Sequence, residues 1–304
     1  MFTFVCRCQK GGTTFLRRLL ALHPRLFSFD GEGRYWNWPR LSITENRVAS
    51  YADKFTFDAV LLGEPPGELE APLFFDVTPA YLISPFAPPQ ISFMNPHSQI
   101  IMMLREPTDR YRSNLQMELC NEPKLEGEPV LDLSHKGFHL PGRMSAFIEN
   151  ERASIAGSKC QDAPVNTAGL WGCWLNRASS APLVRGLYAL MIEWWFLFLP
   201  RESFLFLDSS TFFKDPSTTL AQVMSFLKLP AANYTIHSDF IASYRHPERS
   251  QNCHPSIEEM VGYYLGPEDI SVIQEFYAPH VQQLRGLLNT DFAEWNPPLV
   301  HHPS

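Results

Sequence analysis

Lys10, Gly11, Gly12, Thr13 and Thr14 are the residues of this chain best equipped for chemistry. They stand between an apolar run at 2–5 and an amphipathic stretch at 15–22. Turned from a strand into a helix, such a segment cradles a terminal phosphate or a similar anion. The glycines let backbone N–H groups close on it, the helix start adds partial positive charge, and lysine and threonine donate to its oxygens. The order excludes the common ATP-type loop, Gly-x-x-x-x-Gly-Lys-Ser/Thr, because here the lysine precedes the glycines. The same five residues also suit a plain glycine turn before a threonine-capped helix.

A second group runs from Arg105 through Glu106, Pro107, Asp109 and Arg110 to Ser113. Arg105 ends an apolar run, and Ser113 falls about two turns into the helix that follows. Ligands of open parallel sheets sit at the carboxyl ends of strands. The spacing therefore predicts Arg105 and the Lys10 loop on one sheet edge. An arginine fork and a hydroxyl suit a second phosphate. A salt bridge from Arg105 to Glu106 or Asp109 is the alternative use.

The elements that must position these groups are legible. Near-continuous apolar runs at 2–5, 73–76, 99–104 and 204–208 read as strands buried in a parallel sheet. Helical spacing occupies 15–22, 107–119, 183–199, 216–227 and 267–289. Asp215-Pro216 supplies a helix start, and Pro279 predicts a kink or a split in the last helix. Residues 63–72 and 85–96 are proline-rich and read as irregular, as does the polar segment 121–142. The alternation implies an α/β fold with a central, mostly parallel sheet flanked by helices.

The 304 residues, 45% apolar, are enough for one large α/β domain or two small ones. A net charge of −7 argues against a nucleic-acid partner. The most apolar run, 188–199, is too short to span a membrane and contains Glu193. No signal peptide is read at the N-terminus, so the chain is cytosolic or lacks its natural start. Cys6 and Cys8 lack a partner pair, so no metal is expected. Cys160 and Cys173 are close enough in sequence to bridge, and Asn233-Tyr234-Thr235 is a glycosylation sequon. Trp171, Trp174, Trp194 and Trp195 read as core aromatics, and Met102-Met103 as strand core.

In these segments the sequence resembles the sulfotransferases that use 3′-phosphoadenosine 5′-phosphosulfate (PAPS), over nearly the whole chain. The Lys10–Thr14 loop is similar to their 5′-phosphosulfate loop, and Arg105 to Ser113 to their 3′-phosphate motif. Asp76-Val77-Thr78-Pro79-Ala80-Tyr81 resembles a segment of the Golgi carbohydrate branch, and Met94-Asn95-Pro96 one of the heparan sulfate enzymes. Gly186-Leu187-Tyr188, Trp194, Pro200-Arg201-Glu202 and Phe276-Tyr277-Ala278-Pro279-His280 follow the same branch. Cys160, Cys173 and His246-Pro247-Glu248-Arg249 are most similar to the N-acetylgalactosamine 4-sulfate 6-O-sulfotransferase type.

The resemblance implies one sulfotransferase domain over 1–304, with the donor loop and first helix in 1–30 and a tail at 296–304. It implies PAPS as donor, with no metal, and sulfuryl transfer to a carbohydrate hydroxyl. Lys10, Gly11, Gly12, Thr13 and Thr14 would hold the 5′ end, Arg105 and Ser113 the 3′-phosphate, and Arg249 would also contact the donor. Lys10 would neutralise the leaving phosphate, and Glu32 would be the catalytic base. By position alone Glu32 also suits a loop acid paired to Arg34. The implied compartment is the Golgi lumen, the alternative being cytoplasmic. Gly31 and Arg34 stand where relatives usually carry lysine and histidine. Val77 replaces the functional lysine of heparan 3-O enzymes. A small-molecule acceptor, or a non-catalytic nucleotide- or glycan-binding role, is the alternative reading.

Overall fold

The computed structural model describes residues 2–7, 12–28, 32–37, 45–53, 73–121, 133, 138–139, 141–157, 182–230, 257–292 and 295. Lys10, Gly11, Cys160, Cys173, the sequon and Arg249 lie outside them. The chain divides into two compact units, Met1–Leu104 with Glu193–Ser238, and Arg105–Ile192 with Asp239–Ser304.

The first unit holds a five-stranded parallel sheet. Its strands are β1 (Phe2–Arg7), β2 (Leu26–Phe27), β3 (Leu73–Val77), β4 (Gln99–Leu104) and β5 (Phe204–Asp208), in the order β2-β3-β1-β4-β5. The register pairs Val5 with Val77 and with Ile101, and Leu104 with Asp208. All strands therefore end at one edge. From Ile100 to Leu104 every residue is buried, the pattern of a central strand covered on both faces. The order reverses at β1, with β2 and β3 on one side and β4 and β5 on the other. The crevice outside the carboxyl ends of β1 and β4 is thus a topological switch point.

Helices α1 (Thr13–Leu20), α2 (Glu45–Ala52), α3 (Ala80–Ile83) and α4 (Ala87–Met94) follow along this unit. Helix α4 occupies a stretch read from sequence as irregular. Its prolines lie in the first turn, where a backbone N–H has no intrahelical acceptor to lose. Helices α8 (Ser209–Lys214) and α9 (Pro216–Leu227) follow β5. Asp208 and Asp215 cap them, accepting from the Thr211 and Thr218 N–H groups at 2.9 and 3.0 Å. The Asp215-Pro216 start stands where the sequence predicts it.

The second unit is helical: α5 (Pro107–Asn121), α6 (Met144–Gly157), a short 3-10 turn at Val184–Gly186, α10 (Ile257–Tyr264) and α11 (Pro267–Leu288). Helix α7 (Tyr188–Phe196) begins in this unit and ends in the first. Helix α11 runs unsplit through Pro279. Proline removes one hydrogen bond there, while the buried face of Ile273, Phe276, Tyr277, Val281, Leu284 and Leu288 continues across it. Arg110, fully buried, donates to the Pro182 carbonyl and, at 3.4 Å, to Asn114. Tyr277 donates to the Leu183 carbonyl at 2.5 Å, and its ring fills the space a side chain at Gly186 would need. His139 accepts from or donates to the Tyr111 hydroxyl at 2.9 Å through Nδ1 and meets the Tyr264 carbonyl at 2.6 Å through Nε2. The carbonyl can only accept, so Nε2 carries the proton and Nδ1 accepts from Tyr111. Burial lowers the affinity of this imidazole for a second proton. Cys120, near the end of α5, is disulfide-bonded.

Candidate active site

Of the expected anion loop, Gly12, Thr13 and Thr14 are among the described residues, and Gly12 makes the turn into α1. It takes a left-handed backbone, φ +92°, and its carbonyl accepts the first α1 bond, from Leu16 N–H at 3.1 Å. A Cβ at this position would lie 2.8 Å from the Phe213 ring. Conformation and space therefore both require glycine. Phe213 also stacks on Phe15 at 5.9 Å, and Phe212 meets Phe15 at 5.1 Å. These two α8 residues pack beneath the turn. The N-terminus of α1 has no side-chain cap and no acid in its first turn, and Thr14 is exposed there. Such a helix start suits an anion.

Glu32 lies on a segment fixed by side chains along its length. The Gly33 N–H donates to Asp76, the Arg34 N–H to Thr78 Oγ1 at 3.1 Å, and the Tyr35 N–H to the Tyr81 hydroxyl at 3.1 Å. Farther on, Gln90 donates to the Trp36 carbonyl at 3.1 Å and Ser84 to the Asn37 carbonyl at 3.1 Å. Tyr35, Trp36 and Tyr51 close over these bonds as a ring cluster with centroids 4.8–5.2 Å apart.

The hub is Asp76, a carboxylate in the buried strand β3 and 1% exposed. It accepts from Tyr81 at 2.6 Å, Thr78 at 2.7 Å and Tyr51 at 3.0 Å. Burial pushes its carboxyl up, and the four donors only partly oppose that. Burial, together with the Asp76 charge, pushes the Tyr51 and Tyr81 hydroxyls well up, so both remain donors. One charged residue thus orders the chain beside the carboxyl end of β3, on the strand next to β1. Glu32 itself is 36% exposed and pairs with Arg34, whose Nε and Nη2 both donate to its Oε2 at 2.8 Å. The Glu32–Arg34 pairing that the sequence also allows is therefore present.

Arg105 and Ser113 belong to the second unit. The Arg105 carbonyl accepts from Tyr188 at 2.9 Å, and Ser113 lies 9% exposed on α5. Glu106 caps α5, accepting from the Asp109 N–H at 2.7 Å. Arg110, grouped by sequence with the phosphate motif, is a structural tie. Phe213, Tyr51 and the His139 clamp carry no signal in the sequence. Asp76 had a signal: it is the lone charged residue in the apolar run 73–77. Among the described residues no group of three or more His, Cys, Asp or Glu side chains could hold a metal ion, and no helix is long and apolar enough to cross a membrane.

Residues 3–254 match the profile of the family described as "Sulfotransferase domain". Human "Heparan sulfate glucosamine 3-O-sulfotransferase 6" is 24% identical over 291 residues, covering 93% of this chain and 70% of that protein. Human "Bifunctional heparan sulfate N-deacetylase/N-sulfotransferase 3" is 24% identical over 232 residues, covering 75% of this chain and 22% of that protein. Among solved structures, a sulfotransferase from Alicyclobacillus acidocaldarius shares the fold with a TM-score of 0.55 at 19% identity, covering 96% of this chain and 97% of that one.

Proposed function

The chain belongs to the sulfotransferase domain family, a PAPS-dependent enzyme by that membership, and we propose that its acceptor is a hydroxyl of a heparan-type glycosaminoglycan. The acceptor class is supported by the heparan sulfate enzymes among its relatives. The observation that carries the mechanism is Glu32, an exposed carboxylate on a segment locked to the carboxyl end of β3.

PAPS, as donor substrate, supplies a sulfuryl group on a phosphate leaving group. The N–H groups at the start of α1, with Lys10, Gly11, Gly12, Thr13 and Thr14, bind the 5′ end. Arg105 and Ser113 bind the 3′-phosphate and so select this donor over ATP-like ones, with Arg249 as a further contact. Glu32 accepts the proton of the acceptor hydroxyl as the oxygen–sulfur bond forms and the sulfur–phosphate oxygen bond breaks. Lys10 stabilises the charge that gathers on the departing phosphate. Positioning and electrostatics supply most of the rate, as in phosphoryl transfer. Val77, in place of the functional lysine of heparan 3-O enzymes, points to a sulfated position other than the glucosamine 3-O. The Golgi lumen is the compartment that fits this acceptor.

The test is transfer of labelled sulfate from PAPS to sulfated glycan oligosaccharides and to phenols and alcohols. Labelled oligosaccharide is the expected product. Labelling of the small hydroxyl compounds alone overturns the glycan assignment.

A further inference from the structure

We propose that Arg34 selects anionic acceptors: it holds Glu32 paired in the resting enzyme and releases it when an oxyanion of the acceptor takes the guanidinium. The inference rests on the reading of Glu32 as base and goes beyond it by naming what controls that base.

Three described non-glycine residues have a left-handed backbone: Arg34 (φ +48°), Lys228 and Asn289. Lys228 and Asn289 terminate helices, where that conformation is ordinary. Arg34 lies at no helix end. Its strained backbone persists because the surroundings fix it: Thr78 accepts its N–H, Asp76 accepts that of Gly33, and Tyr81 that of Tyr35. Backbone strain held in this way marks positions whose geometry is used. Here the use is visible. The side chain turns back on the residue two places earlier, and both its Nε and Nη2 donate to one oxygen, Oε2 of Glu32.

That oxygen is occupied by two donors and is poorly placed to take a third proton from a hydroxyl. The pair is nevertheless exposed, 67% for Arg34 and 36% for Glu32, and exposed ion pairs exchange partners at little cost. A sulfate or carboxylate on the acceptor offers two oxygens to the planar fork, a better match than a single Oε2. When the guanidinium moves to it, charge is conserved and Glu32 is left with both oxygens available. The anchored backbone keeps the carboxylate in place during the exchange. An uncharged acceptor makes no such offer and meets a paired base. In a protein of net charge −7, a local cation at the reacting carboxylate also draws a polyanion to the right place.

The experiment measures steady-state transfer by wild type, Arg34→Gly and Arg34→Lys. Glycine keeps the left-handed backbone without strain. The acceptors are a sulfated heparan-type hexasaccharide, its desulfated form, and its desulfated, carboxyl-reduced form. For Arg34→Gly, kcat/KM on the sulfated acceptor should fall about tenfold to a hundredfold, as for a lost charge-assisted fork. On the uncharged acceptor kcat should rise. Arg34→Lys, a point charge without the fork, should fall between. Loss on the sulfated acceptor alone identifies sulfate as the partner, and loss on the desulfated acceptor as well identifies carboxylate. Equal losses on all three acceptors, or no loss on any, overturn the proposal. Glu32→Gln assayed in parallel separates the two readings: if it retains wild-type turnover, Glu32 is not the base, whatever Arg34 does.

Discussion

Replacing Asp76 tests whether one buried carboxylate organises the reacting segment. Three hydroxyls at 2.6–3.0 Å and the Gly33 N–H converge on it, with 1% of the residue exposed. Each hydrogen bond to a charged group contributes about 1.5–3 kcal/mol, and the four share one acceptor, so their sum overstates the loss. Desolvation of the charge also offsets part of it. Asp76→Ala removes the acceptor from four donors at once, which places the cost at about 3–5 kcal/mol, the range for breaking a buried charged network. At about 2.1 cal/mol/K of unfolding entropy per residue, a chain of 304 residues should then lose roughly 5–8 °C in Tm. Asp76→Asn keeps one acceptor oxygen and the shape, and should cost about 1–2 kcal/mol. Turnover should fall more than donor affinity in both variants, because the Glu32 segment loses its anchor while the α1 turn is untouched. Thermal denaturation followed by circular dichroism, with initial rates at saturating donor, reads both effects. An Asp76→Ala protein with wild-type Tm and turnover would show that Asp76 does not anchor the Glu32 segment.

Other outcomes follow from the same geometry. Gly12→Ala forces a left-handed alanine, at about 1–2 kcal/mol, with its Cβ 2.8 Å from Phe213, and should weaken 3′-phosphoadenosine 5′-phosphate binding in calorimetry; unchanged affinity would count against this turn as the donor cradle. Lys10→Ala should lower turnover about 10²–10³-fold, the scale of a lost transition-state donor, and an undiminished rate would remove its assigned role. His139, neutral when folded, binds its second proton more readily in the unfolded chain. Stability is therefore full above its unfolded value of about 6.5 and declines as the pH falls below it. Denaturation midpoints between pH 7.5 and 5 should show a steeper decline in wild type than in His139→Gln, which can donate to Tyr264 and accept from Tyr111.

Much of the sheet is legible because strands covered on both faces are uniformly apolar. The runs at 73–76, 99–104 and 204–208 differ from β3, β4 and β5 by at most one residue. Strand β2 is missed because two residues carry no periodicity. Helix α4 is hidden by its prolines, which suggest irregular chain although the first turn of a helix tolerates them. The unsplit α11 shows the same excess weight on Pro279, where a continuous buried face prevails over one lost bond. At the site, Glu32 and its partner Arg34 are visible in the sequence. The left-handed backbone that joins them is not, since it depends on Thr78, Asp76 and Tyr81, more than 40 residues downstream. Phe213 is hidden for the same reason: nothing local links it to Gly12.

Transfer of labelled sulfate from PAPS to a sulfated heparan-type oligosaccharide, by wild type and Glu32→Gln side by side, decides whether Glu32 is the base of a glycan sulfotransferase. Labelled glycan is expected from wild type, with a loss of at least about 10²-fold in Glu32→Gln and donor affinity unchanged between the two. Equal turnover by both proteins would contradict that role.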